Sequence, residues 1–288
     1  MVFKRIPEIK KMSVNTVRFK FFKKDEFKYL SHLDVLALME RALMRTGIQL
    51  ACSSGFHPKL KLSFSNPIPL GVQSLAEYCD IELLEEMSPE DFTVLINSKL
   101  PDNLKVIQAL SFEKTPENKI PSLMSAIDIV LYEYKLLFKK LLPEVLLNGK
   151  PSEKKGYKGK KTTGESLSFD KFKSPFLKDF KELFGPAGKN EECEADLLNV
   201  KNSIYNYEAA ASGLEENIFF LKICGYAKIL KQSNNSIFKF NVFNKYFEKF
   251  LKTADIEIRQ VQKTGTYILK DNILTDPIQV IFTEGSKV

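Results

Sequence analysis

The chain is poor in the side chains that metal and redox chemistry require. It has two histidines and four cysteines in 288 residues. Cys52, Cys79, Cys193 and Cys224 lie far apart, and no Cys-x-x-Cys pair occurs. That spacing argues against a zinc ribbon and against a dithiol redox centre, so neither a metal nor a cofactor is expected. Scattered thiols of this kind fit ordinary buried cysteines in a reducing cytoplasm. The opening MVFKRIPEIKKMS lacks the apolar core of a secretory leader. No run reaches the ~18 apolar residues of a membrane-spanning helix. The nearest approach, IDIVLYEYKLLFKKLLPEVLL, is broken by Asp128, Glu133, Lys135, Lys139 and Lys140. Dinucleotide fingerprints and Gly-x-Ser-x-Gly elbows are missing too. Gly159-Lys160-Lys161-Thr162 fails the glycine spacing of a phosphate loop.

What is present is basic and strongly patterned. Lys and Arg total 43 against 36 acids, a formal charge of +7. That balance favours anionic partners, nucleic acid first among them. Val17, Phe19 and Phe21 alternate with Arg18, Lys20 and Phe22, the pattern of a strand. Ser31 followed by Asp34 at the third helical position is a capping box, and Gly47 suits the helix exit. The spacing predicts further strands at 48–52, 59–64, 77–83 and 103–110, and a helix from Ser88 to about Leu100. The order β-α-β-β-β-α-β implies an α+β sandwich with helices on one sheet face, close to a ferredoxin-like split βαβ. A linker at 114–121 separates an N-terminal domain, 14–113, from a second α+β unit, 122–288. There the expectations are strands at 126–137, 196–207, 217–225, 256–261 and 266–269. Helices are expected at 178–184 and 241–253, with a mobile Lys-rich loop at 149–175. The whole is read as two ferredoxin-like units.

The phrases FKYLSHLD, GFHPKLKLSF, PLGVQS and EYCDIEL resemble the signature blocks of the radical SAM-linked protein family, a bacterial family of unassigned biochemistry. The resemblance implies a radical SAM protein as a partner in trans. The chain lacks the three close cysteines that hold such an enzyme's cluster, so it would be the companion and not the enzyme.

Four groups of residues are candidates for function. Arg18, Lys20, Lys59, Lys61, Ser63 and Tyr78 point outward from predicted strands, and a basic sheet face with an aromatic ring holds single-stranded RNA. The bland alternative is a solvated face with cross-strand pairs such as Lys61 with Asp80. Lys154, Lys155, Lys158, Lys160 and Lys161 form a dense run able to clamp a phosphate backbone, or a merely solvated loop. Phe56, His57 and Pro58, with Ser74, Glu77, Tyr78 and Asp80, outline a pocket rim in the signature blocks. Otherwise those carboxylates simply accept backbone N–H bonds from the Pro-Gly loop. His57 and His32 are the only acid–base pair a metal-independent ribonuclease would have. The leading expectation is a non-catalytic RNA-binding accessory protein in tRNA or rRNA modification. A small nuclease and a protein-interaction scaffold are the alternatives.

Overall fold

Val17, Phe19 and Phe21 send their side chains to one face of a strand, and Thr16, Arg18 and Lys20 go to the other. The computed structural model describes residues 14–115, 120–138, 169–185, 195–211, 218–228, 230, 235–271 and 273–280. The elements in the first part of the chain are β1 (Val14–Lys23), α1 (His32–Met44), β2 (Leu62–Phe64), β3 (Gln73–Leu83), α2 (Pro89–Asn97), β4 (Leu104–Lys114) and α3 (Leu123–Ala126). There follow β5 (Ile129–Phe138), α4 (Phe169–Phe184), α5 (Ala195–Ser203), β6 (Ile204–Ala211), β7 (Ile218–Tyr226), α6 (Phe240–Thr253), β8 (Ile256–Lys270) and β9 (Ile273–Thr275). Helices thus mix with nine mostly antiparallel strands among the described residues, an α+β composition as expected. The chain divides into two compact units, Met1–Val130 with Gln262–Val288, and Leu131–Val261. The boundary expected between 113 and 122 falls inside the first unit, which also takes in the chain's C-terminal segment.

In the first unit β1 lies between β3 and β4, antiparallel to both, and β2 pairs with β3 from Leu62↔Ile81 to Phe64↔Cys79. β8 joins β3 in parallel at Gln73↔Gln262 and Ser74↔Lys263. α1 contributes Val35, Met39, Ala42 and Leu43 to the core, and α2 contributes Phe92 and Ile96. They bury against Val17, Phe19, Phe21, Cys79, Ile81 and Leu83. Each large apolar side chain removed from water in this way contributes about 1.5–3 kcal/mol. α1 starts as its sequence dictates: Ser31 Oγ accepts from Asp34 N at 3.2 Å, and Ser31 N donates to Asp34 Oδ2 at 3.0 Å. Gly47, at φ +81, takes the left-handed turn just past the helix. The other sheet face carries a smaller apolar cluster of Ala76, Tyr78, Leu123 and Ile278.

Two local expectations differ here. Residues 48–52 make only isolated bridges, Leu50↔Leu83 and Cys52↔Leu60, in place of a strand. The strands expected at 256–261 and 266–269 are one, β8, which continues through Gly265. The Tyr267 ring lies 2.4 Å from where a Cβ at Gly265 would stand. The glycine therefore makes room for a ring packed on the backbone and does not end the strand.

In the second unit the strand order is β8-β5-β7-β6, with β6 and β7 antiparallel from Ile204↔Gly225 to Ala211↔Phe219. α6, expected at 241–253, places Phe240, Phe243, Phe247 and Leu251 on one buried face with the 3–4 spacing of an amphipathic helix. Its rings meet α4: Phe184 lies 5.2 Å from Phe243, and Phe180 lies 6.0 Å from Phe247. Tyr134 packs on Phe247 at 5.1 Å and donates its hydroxyl to Asn244 Oδ1 at 2.8 Å. Two corrections apply. Residues 169–175, expected within the lysine loop, are helical, with Pro175 inside α4. The strand expected over 196–207 is helical through Ser203 and extended only from Ile204.

Candidate nucleic-acid interface

The strand periods put Arg18, Lys20, Tyr78 and Asp80 on one sheet face, but that face is not open. Arg18 is 1 % exposed and Tyr78 0 %. Arg18 grips Asp80 through two bonds, Nε to Oδ1 at 2.7 Å and Nη2 to Oδ2 at 3.0 Å, and donates Nη1 to the Pro277 carbonyl at 3.0 Å. Tyr78 donates its hydroxyl to Asp276 Oδ2 at 2.7 Å, and Lys20 Nζ reaches the same oxygen at 3.1 Å. Burial, and then Asp276, push the Tyr78 hydroxyl far above its ordinary range. Segment 276–278 thus covers the face, so a single solvated basic face, as read from the alternation, does not form. The returning C-terminal segment is a long-range feature with no local signal. Lys61 pairs with Glu82 at 2.9 Å, two residues along β3 from the expected Asp80. Ser63 stands opposite Asp80 in the β2–β3 register and is half-buried.

The signature-block residues enter three different sets of contacts. Ser74 donates to Glu77 Oε1 at 2.6 Å, and Lys263 Nζ donates to the same oxygen at 2.9 Å. All three are buried. Lys23 is buried as well, donates to the Leu30 carbonyl at 3.1 Å, and is held below the usual lysine range by burial, with Glu77 opposing. Tyr78 and Asp80 belong to the covered face. The carboxylates at 77 and 80 therefore neutralise cations, where the bland reading had them accepting loop N–H groups. Sequence reasoning missed Lys23, Lys263 and Asp276. A buried lysine shows no pattern in sequence when its partner is more than 180 residues away.

Phe56, His57 and Pro58 form the third set. They sit on a loop closed by the Cys52↔Leu60 bridge, with Ser53 N donating to Lys59 O at 2.8 Å and Lys59 N donating to Ser53 Oγ at 3.1 Å. Gly55 adopts φ +142, which favours glycine, and so turns the chain. Residues 53–59 are all exposed. Phe56 is 98 % exposed, with the His57 ring edge-on at 6.2 Å. The Lys59 ammonium has no ion-pair partner among the described residues, and the His57 ring makes no hydrogen bond among them. An exposed aromatic ring and an unpaired cation on one loop can stack a base and meet its phosphate.

His32 lies in the first turn of α1, edge-on to Phe64 at 5.4 Å. No hydrogen bond joins either histidine to a carboxylate among the described residues. Lys154, Lys155, Lys158, Lys160 and Lys161 lie outside the described residues. No cluster of His, Cys, Asp and Glu able to hold a metal occurs among the described residues.

A family model described as an uncharacterized protein conserved in bacteria (DUF2344) matches residues 16–168. That span includes the exposed loop and all four phrases in full, from Phe27 to Leu83. No curated protein matches the chain. Among solved structures, the chain is similar to a DypB variant in complex with manganese. The identity is 10 %, the coverage 86 % of this chain and 91 % of that one, and the TM-score 0.20. A likeness at that level carries no argument here.

Proposed function

The chain belongs to the DUF2344 family of uncharacterized proteins conserved in bacteria, and from that premise we propose that it is an RNA-binding accessory protein whose contact is the 53–59 loop. The observation that carries the reading is Phe56, 98 % exposed beside His57, with Lys59 exposed on the same loop. An isolated exposed phenylalanine forgoes about 1.5–3 kcal/mol of burial, a loss that a stacked base would recover. The formal charge of +7 draws polyanions toward the surface. Lys59 supplies a local phosphate contact, and the lysine run at 154–161 is a second candidate clamp.

The strand orders β4-β1-β3-β2 and β8-β5-β7-β6 each support a ferredoxin-like unit. A radical SAM enzyme is the partner implied by the signature phrases, and the cytoplasm is the compartment implied by the cysteines. Among the described residues no helix is long and apolar enough to cross a membrane. Crosslinking in the cell, with sequencing of bound RNA and identification of co-purified proteins, tests the reading. It predicts tRNA or rRNA fragments together with a radical SAM protein. Recovery of proteins without RNA would leave the scaffold alternative. RNA cleavage by the purified chain, lost in His57→Ala with binding kept, would establish the nuclease.

A further inference from the structure

The outer side of α1 and the 98–101 loop enclose a groove of about 670 Å³ in the first unit. Its floor is apolar: Leu30, Ala37, Leu38 and Leu100. Among the described residues its cations are Arg41, Arg45 and Lys99, against a single carboxylate, Asp34. Asp34 is already committed, because Ser31 donates to it through both N, at 3.0 Å, and Oγ, at 2.6 Å. Arg41 and Arg45 are one helical turn apart and so project on the same side. Arg45 is braced by Nη2 donating to the Lys99 carbonyl at 2.9 Å, which ties the helix to the far wall of the groove. Arg41 is exposed, and its guanidinium has no partner among the described residues.

A cation near a helix C-terminus needs no explanation beyond the dipole. Here the cations also border a concave apolar floor, and two guanidiniums one turn apart give the groove a positive field that favours an anionic occupant. We propose that this groove docks an acidic peptide segment of a partner protein, with an aliphatic side chain on the Leu38–Leu100 floor and carboxylates on Arg41 and Arg45. Such a partner matches both the charge and the floor. RNA matches the charge alone, since no aromatic ring among the described residues lines the groove to stack a base. The site is distinct from the 53–59 loop, and the two stand or fall separately.

The test displays random 12-residue peptides on phage against the full-length chain, with Arg41→Glu as the counter-target. Arg41 has no partner to lose, so the variant should fold, and an unchanged melting temperature checks this. The expected outcome is enrichment of peptides carrying Asp or Glu beside Leu or Ile. A synthetic copy of one should bind at least tenfold more weakly to Arg41→Glu and to Ala37→Glu, and equally to wild type and Phe56→Ala. Enrichment of peptides without acids, or no selective enrichment, overturns the proposal. So does weakened oligo-uridine binding by Arg41→Glu in the absence of peptide selection, which would give the groove to RNA.

Discussion

Replacing Arg18 by methionine isolates the buried ion pair beneath segment 276–278. The change removes both bonds to Asp80 and the bond to the Pro277 carbonyl. Asp80 stays behind with its side chain 2 % exposed and, among the described residues, one remaining cation, Lys114, at 3.9 Å. Stranding a buried charge in this way costs about 3–5 kcal/mol. A chain of this size loses about 2–4 °C of melting temperature per kcal/mol, so the transition should fall by about 6–20 °C. Circular dichroism melting, with urea unfolding for the free energy, reads the change. Arg18→Met with Asp80→Leu should recover most of the loss, since an apolar pair of similar volume needs no desolvated charges. Oligo-uridine binding by folded Arg18→Met should match wild type. A cost below about 1 kcal/mol, the worth of an exposed pair, combined with weaker RNA binding, would mean that the face is solvated and available, and would refute the burial argument.

Three smaller predictions follow from local geometry. Ser31→Ala should cost about 1 kcal/mol through the lost cap of α1; an unchanged urea midpoint would contradict the capping role. Lys23 has a lowered folded pKa, so the unfolded chain keeps this proton to higher pH, and stability gains from the site as pH rises between the two values. Lys23→Met should remove that alkaline gain, and a variant whose pH–stability slope equals wild type counts against the buried ammonium. Burial, and then Asp80, lift the Cys79 thiol well above its usual range, so native chain should leave it unalkylated by iodoacetamide at about pH 8. Mass-spectrometric modification of Cys79 without denaturant would show that the β1–β3 core is open.

What could be read from sequence was what short spacings encode. The Ser31–Asp34 box and the alternation in β1 and β3 act within a few residues, and each element formed where they pointed. Failures came where a local signal was overridden. Pro175 read as the end of a loop, yet it sits within α4, where Phe176, Phe180 and Phe184 bury along one side. Leu197, Leu198 and Val200 read as extended, but 195–203 is helical. The candidate site failed through topology. Whether Arg18 and Tyr78 meet solvent depends on Asp276 and Pro277, and nothing near residue 18 or 78 announces that return. The exposed Phe56-His57 loop was legible because Ser53, Gly55 and Pro58 are turn chemistry in themselves.

The central claim is that the 53–59 loop binds RNA, and fluorescence anisotropy of labelled oligo-uridine across a salt series tests it most directly. Stacking of one base on Phe56 is worth about 1–3 kcal/mol, so Phe56→Ala should weaken binding about 5- to 140-fold with an unchanged salt slope. Lys59→Glu should reduce the log–log salt slope by about 0.7, one phosphate contact on a single strand. Wild-type affinity and slope in both folded variants, or no binding by wild type at low salt, would contradict the account.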